Sequence, residues 1–206
     1  MINIRKQLRK YFIMGSQNCD RDPVDILQEA ASAGITAFQY REKGHGALTG
    51  HAKLELGKQL RKICAAHQIP FIVNDDIKLV EPLEADGIHV GQDDLSVVDI
   101  RKLFPNKIIG LSVSNANELG QSPISLVDYL GAGPMYETAT KLDAKAVVGV
   151  EWIEILRRQF PDLPIVGIGG INTDNAPSVL QAGADGVAVI SAIAKAANVI
   201  KAVEKL

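Results

Sequence analysis

Cysteine is nearly absent. Cys19 and Cys64 are the only two among 206 residues, and their separation fits no metal-ligand spacing. That leaves no cysteine-built metal centre and no disulfide framework, and it predicts free thiols in a reducing compartment. Net charge is almost absent too: 22 basic residues against 24 acidic ones give −2. Such a balance offers no general basic footprint for nucleic acid or an anionic membrane, so any basic site has to be local. No unbroken apolar run approaches the roughly 18 residues of a membrane span. The charged segment 1–10 lacks the apolar centre of a signal peptide. These absences predict a soluble, cytoplasmic protein with neither nucleic-acid nor membrane partners. Two further signatures are missing, a Ser–His–Asp arrangement and the glycine fingerprint of a dinucleotide-binding fold.

What the chain has is apolar residues in quantity, 47%, in short runs that alternate with longer amphipathic ones. The short runs predict strands at 11–14, 35–40, 70–74, 87–90, 108–113, 127–132, 164–168 and 186–190. The amphipathic stretches predict helices at 23–33, 50–67, 77–83, 97–104, 116–121, 151–159, 174–182 and 192–206. Asp22 before Pro23, Ser96, Asn115 and Thr173 stand where helix caps belong. Gly34 and Gly183 stand where helices end. Eight β–α alternations without a Pro/Ser-rich linker read as a parallel sheet, and eight is the count that closes into a (β/α)8, or TIM, barrel. The expectation is an α/β fold, one TIM-barrel catalytic domain over residues 1–206, with no room for a second. A weak internal repeat agrees. Ala85-Asp86-Gly87-Ile88-His89-Val90 is echoed by Ala184-Asp185-Gly186-Val187-Ala188-Val189, as two half-barrels would give, although Ala-Asp-Gly before a buried strand can also recur for local reasons.

In such a barrel, chemistry sits at the C-terminal ends of the strands. The second strand runs into Gln39-Tyr40-Arg41-Glu42-Lys43-Gly44. If the chain stays extended, Gln39, Arg41 and Lys43 share one face, and Tyr40 and Glu42 the other. An amide with two positive charges suits an anion, though a solvated turn can have the same composition. The third strand ends in Asn74-Asp75-Asp76, and the fourth in Gly91-Gln92-Asp93-Asp94. Either acidic pair alone reads as a helix cap; carboxylates at neighbouring strand ends can also share Mg2+, with phosphate and water completing its shell. Ser112-Val113-Ser114-Asn115 follows the fifth strand, offering Ser112 to a substrate and Asn115 as a cap. After the sixth comes a long polar loop, 133–143, with hydroxyls and a lysine suited to phosphate. Gly169-Gly170 and Ser191 follow the seventh and eighth strands, the recurrent phosphate site of this fold. His45, His51 and His67 read as surface or helix positions, His89 as a packed core histidine, and Trp152 as a helix anchor.

Taken in order, these motifs resemble the thiamine-phosphate synthase family. The resemblance runs from about Tyr11 to Ala194 and rests on the Gln39–Gly44 stretch, Asn74-Asp75, and His89-Val90-Gly91-Gln92-Asp93-Asp94-Leu95. It is completed by Gly133-Pro134 with Thr138-Ala139-Thr140-Lys141, and by Gly169-Gly170-Ile171. It implies a transferase that joins 4-amino-2-methyl-5-hydroxymethylpyrimidine diphosphate to 4-methyl-5-(2-phosphoethyl)thiazole, giving thiamine phosphate and pyrophosphate with Mg2+. It further implies that Gln39, Arg41, Lys43 and Asn74 hold the pyrimidine diphosphate, that Asp75 and Asp94 bind Mg2+, and that Ser112 contacts the pyrimidine. Thr138 and Thr140 would hold the thiazole phosphate, Lys141 would reach the diphosphate, and Gly170, Ile190 and Ser191 would offer backbone contacts to the thiazole phosphate. Arg41, Lys43, Ser112 and Lys141 would be the catalytic set. Two departures stand out: Ser114 where many members carry histidine, and Tyr136-Glu137-Thr138 where proline is commoner before the threonines. Related readings are a thiazole tautomerase-like barrel and a non-catalytic barrel that binds a phosphorylated ligand. Assembly into a homo-oligomer is left open by the sequence.

Overall fold

Eight strands hydrogen-bond side by side in sequence order, and the last returns to the first to close a barrel. They are β1 Lys10–Met14, β2 Ala37–Tyr40, β3 Phe71–Asn74, β4 Gly87–Val90, β5 Ile108–Val113, β6 Tyr129–Ala132, β7 Ile165–Ile168 and β8 Gly186–Val189. Every neighbouring pair is parallel. This is the expected (β/α)8 architecture, in a computed structural model that describes residues 4–138 and 145–206. The helices are α1 Ile4–Gln7, α2 Pro23–Ser32, α3 Gly50–Ala66, α4 Val97–Leu103, α5 Ala116–Gln121, α6 Glu151–Gln159, α7 Ala176–Gln181, α8 Ser191–Ala194 and α9 Val199–Glu204.

Alternation along the strands builds two cores. One set of side chains points into the barrel, where Tyr11, Ile13, Ala37, Ile72, Tyr129, Val166 and Ala188 pack together. The other set points outward against the helices: Phe12, Phe38, Tyr40, Phe71, Val73 and Ile88 meet Ile26, Leu27, Ala30 and Leu60. Those helix residues recur three and four apart, so each helix lays one face on the sheet. Truncating a fully buried leucine such as Leu60 typically costs about 2–5 kcal/mol.

Where capping was expected, it mostly forms. Asp22 accepts from the Val24 amide at 2.7 Å with Pro23 opening α2. Ser96 accepts from Asp99 N and Asn115 from Glu118 N. Gly34 and Gly183 take φ of +95° and +107°, the left-handed turn that ends a helix. Three expectations differ. Thr173 does not cap: Asn172 accepts from the amides of Asp174 and Asn175, and α7 starts only after that asparagine turn. The segment 77–83 forms a single 3-10 turn, Ile77–Leu79, because Pro82 removes a donor and biases Glu81 away from helix. The closing segment is two helices, because the Asn198 side chain accepts from Lys201 N and starts α9 afresh.

The Asp-Gly repeat has a local cause. Asp86 accepts from Phe71 N and pairs with Arg61. Asp185 does the same with Ile165 N and Arg157, and so does Asp128 with Ile109 N and Arg101. The third instance, before β6, falls between the two that were legible as a repeat. The pattern therefore marks a device at the N-terminal rim, in which a carboxylate ties one strand start to a helix arginine. The following glycines, Gly87 and Gly186, are required because a Cβ there would meet the backbone carbonyls of Ile108 and Leu8.

Candidate active site

At the C-terminal mouth of the barrel lies a cavity of about 310 Å³, within the range ligand pockets occupy. Gln39, Arg41, Lys43, Asn74, Asp75 and Asp94 line it, and so do Ser112, Thr138, Gly170, Ile190 and Ser191. The structure thus brings to one space every candidate residue that it describes. Thr140 and Lys141 lie outside the described residues.

The wall from β2 follows the alternation read from the sequence. Gln39, Arg41 and Lys43 face the cavity, while Tyr40 turns outward and donates to Lys53 O. Glu42 is the buried anchor between the two cations. Its carboxylate accepts from Ser16 N, Ser16 Oγ and Leu48 N at 2.6–2.8 Å. This ties the loop after β1 to the loop after β2 and fixes the Arg41–Lys43 segment. The Arg41 guanidinium forms no ion pair with a described residue, and its charge is left for a ligand.

Beside that wall the acids converge. Asp75 sits at φ +57°, held by its amide donating to His89 O at 2.9 Å across to β4. Asp94 accepts from Gly91 N at 2.8 Å. Lys43 Nζ lies 2.5 Å from Asp75 and 3.9 Å from Asp94. A simple ion pair would lower the acid, yet the Asp75 carboxyl is held above the usual range: burial raises it, and the Asp94 carboxylate adds to that against the pull of Lys43. Lys43 is raised in turn, first by its bond to Asp75. Two carboxylates pressed together, one of them raised by burial and by its neighbour, form a site that suits a hard cation. Among the described residues no group of three or more His, Cys, Asp and Glu is arranged to hold a metal ion. A two-carboxylate set suits a hard ion whose other ligands are water and phosphate, as Mg2+ prefers. Asp76 is a cap, accepting from Lys78 N and pairing with Lys53.

Opposite stands a glycine turn. Gly169 and Gly170 have φ of +96° and +66°. A Cβ on Gly170 would lie 2.5 Å from Glu137 O and 2.7 Å from the Tyr136 Cβ, so glycine here lets the loop after β6 close down on the turn after β7. Asn175 clamps the same turn by donating to Gly170 O at 3.0 Å.

Several lining residues were not singled out from sequence. His89 is a packed core histidine, as its strand position predicts, and is 8% exposed. It also reaches the cavity floor, with Nε2 2.8 Å from Ser112 Oγ and Nδ1 2.9 Å from Tyr129 Oη. Its strand position, in register with Asn74, was the available signal. Lys145 lines the cavity and pairs with Glu118 at 2.7 Å. Gln92 donates to Ser112 O at 2.8 Å, joining the loop after β4 to β5. Asn74 Nδ2 is buried without a hydrogen-bond partner among the described residues, a donor that a ligand can satisfy. The cysteines offer no nucleophile: burial pushes the Cys64 thiol up to about 12, and burial with Glu42, Asp20 and Asp22 pushes Cys19 up to about 11.

Comparison with known proteins places this cavity in context. The sequence profile of the family described as Thiamine monophosphate synthase matches residues 10–193. A thiamine-phosphate synthase of Oceanobacillus iheyensis is 63% identical over 202 residues, covering 98% of each chain. One from Streptococcus suis is 50% identical, covering 98% of this chain and 89% of that one. The solved structure of a thiamine phosphate pyrophosphorylase from Pyrococcus furiosus superposes with a TM-score of 0.88 at 36% identity, over 99% of this chain and 96% of that one. A 3-hexulose-6-phosphate synthase shares only the fold, with 16% identity and a TM-score of 0.62.

Proposed function

The chain belongs to the thiamine monophosphate synthase family, and from that we propose how its barrel performs the synthase reaction. It is a transferase that condenses 4-amino-2-methyl-5-hydroxymethylpyrimidine diphosphate with 4-methyl-5-(2-phosphoethyl)thiazole to thiamine phosphate and pyrophosphate.

The observation that carries the site assignment is the contact of Lys43 with both Asp75 and Asp94 beside the Arg41 guanidinium. We assign that wall to the diphosphate. Asp75 and Asp94 would hold Mg2+, which when bound neutralises charge on the diphosphate as it leaves. Arg41 and Lys43 neutralise the rest from a rigid strand end, and Lys141 would add its charge from the loop after β6. Asn74 offers its unused amide to the same group. The C–O bond to the pyrimidine methylene breaks, the diphosphate keeps the electron pair, and the thiazole nitrogen attacks the methylene carbon. The aminopyrimidine ring stabilises positive charge on that carbon, so no side-chain nucleophile is needed. Ser112 contacts the pyrimidine on the cavity floor. Thr138, Gly170, Ile190 and Ser191 take the thiazole phosphate at the glycine turn, and Thr140 would add its hydroxyl to that phosphate. The barrel's task is to hold two substrates in line and keep water out.

Measuring pyrophosphate release with both substrates and Mg2+ tests this reading. Release that requires all three supports it. Isomerisation of the thiazole without pyrophosphate would place the protein with the tautomerase-like barrels, and binding without turnover would leave a non-catalytic barrel.

A further inference from the structure

Beneath the cavity an unbroken line of hydrogen bonds crosses the barrel interior. Gln39 Nε2 donates to Tyr11 Oη at 2.8 Å. Tyr11 Oη lies 2.8 Å from Tyr129 Oη, Tyr129 Oη 2.9 Å from His89 Nδ1, and His89 Nε2 2.8 Å from Ser112 Oγ. Five residues from β1, β2, β4, β5 and β6 take part. Gln39, Tyr11 and Tyr129 are 2%, 1% and 0% exposed. The line is made possible by Gly110, where any Cβ would collide with the Tyr129 hydroxyl and His89 Nδ1.

The direction of this line follows from proton counting. A tyrosine hydroxyl has one proton to give. Both tyrosines keep theirs, since burial pushes each phenol well above its ordinary value. Tyr11 Oη receives from Gln39, so its own proton has Tyr129 Oη as its partner. Tyr129 Oη then receives from Tyr11, and its proton goes to His89 Nδ1. That nitrogen must be a bare acceptor, so the imidazole carries its proton on Nε2 and gives it to Ser112 Oγ. Ser112 Oγ, already accepting, has its own proton left for the cavity. With Gln39 donating, the opposite order at the Tyr11–Tyr129 or Tyr129–His89 link would leave a buried hydroxyl proton unused, which is costly at sites so buried, and the opposite order at the His89–Ser112 link alone would leave the imidazole with no proton.

We infer that Gln39, Tyr11, Tyr129 and His89 form a one-way hydrogen-bond relay that presents Ser112 to the cavity as a donor. The ring bound there must then offer an in-plane acceptor, such as a pyrimidine-type nitrogen, at that point. His89 and Tyr129 are positioning residues: they act through Ser112 and set which ligand atom it can meet. The part concerning the ring rests on the proposed pyrimidine contact of Ser112; the direction of the relay does not. Gln39 is the element that sets the direction, because an amide turned over would accept from Tyr11 and reverse each link, ending with Ser112 as an acceptor.

The test begins with the ligand-free wild-type protein labelled with 15N. The expected imidazole spectrum for His89 is a neutral ring protonated at Nε2 with a bare Nδ1. A ring protonated at Nδ1, or at both nitrogens, near neutral pH overturns the inference. Gln39→Glu, which puts an acceptor against Tyr11, should move the proton from Nε2 to Nδ1; an unchanged tautomer would show that Gln39 does not set the direction. Tyr129→Phe keeps the ring volume and cuts the relay, and both tautomers should then appear. Calorimetry with pyrimidine diphosphate analogues, each with one ring nitrogen replaced by C–H, reads the consequence. One of the two analogues should bind wild type tenfold or more weakly than the parent. That preference should vanish in Ser112→Ala and shrink in Tyr129→Phe, with affinity for thiazole phosphate unchanged. A preference that survives Ser112→Ala overturns the donor role. Absence of pyrophosphate release would defeat the synthase reading and leave the tautomer result standing, and a reversed tautomer would do the converse.

Discussion

Gly170→Ala should damage one substrate site and spare the other. Gly170 has φ +66°, and an alanine held there costs about 1–2 kcal/mol of backbone strain. In a chain of this length that lowers Tm by roughly 2–4 °C per kcal/mol. The new methyl would also lie 2.5 Å from Glu137 O, where ordinary contact begins at 3.4 Å. Both sides are backbone turns, so the loop after β6 has to retreat by about 0.9 Å, the difference between those distances. That loop carries Thr138. A misplacement near 1 Å can cost on the order of a hundredfold, so KM for thiazole phosphate should rise by about ten- to a hundredfold. The pyrimidine diphosphate wall stands on β2, β3 and β4, and its KM should stay within about twofold. Gly34→Ala is the control. Gly34 has φ +95° with nothing within 4 Å of its added Cβ, so it carries comparable strain with no displacement. It should lower Tm and leave both KM values alone. Initial rates with each substrate varied in turn decide the matter. Equal increases in both KM values for Gly170→Ala, or none in either, would refute the steric argument.

Asp75→Asn should abolish Mg2+-dependent turnover without lowering Tm in chelator at neutral pH. Burial and Asp94 raise that carboxyl in the folded state, so its stabilising contribution is present only below the unfolded value and is lost as pH rises; a drop in Tm would contradict this. Arg41→Ala should weaken pyrimidine diphosphate binding and turnover together, because a fixed strand end presents the charge before and during reaction. Lys141→Ala should lower kcat by roughly a hundredfold, about 3 kcal/mol for one lost contact to a developing oxyanion, with pyrimidine diphosphate still bound; a single-turnover rate within twofold of wild type would remove Lys141 from the clamp. Arg157→Ala should cost about 3 kcal/mol of stability, since this side chain bonds Phe160 O, Leu163 O, Gly183 O and Asp185 at the far rim. Both KM values should be unaffected, as read by denaturant unfolding alongside steady-state rates.

The barrel was legible because its information is local. Apolar runs such as 108–113, glycine stops at Gly34 and Gly183, and caps at Asp22, Ser96 and Asn115 each depend on a few neighbouring residues. The polar residues just past each run named the cavity wall for the same reason: strand ends share one rim once the fold is known. Alternation alone placed Gln39, Arg41 and Lys43 on one face. Where a proline or an asparagine turn competed with helix periodicity, at 77–83 and around Thr173 and Asn198, the hydrophobic pattern misled. Other features join residues far apart in the chain. The approach of Asp75 to Asp94 depends on the Asp75 amide reaching His89 O. The closeness of Gly170 to Glu137 depends on how two loops pack. The line from Gln39 through Tyr11, Tyr129 and His89 to Ser112 exists only because barrel closure points alternate residues of five strands at one axis. Sequence periodicity says which residues face inward; only closure decides which of them touch, and therefore which proton each one holds.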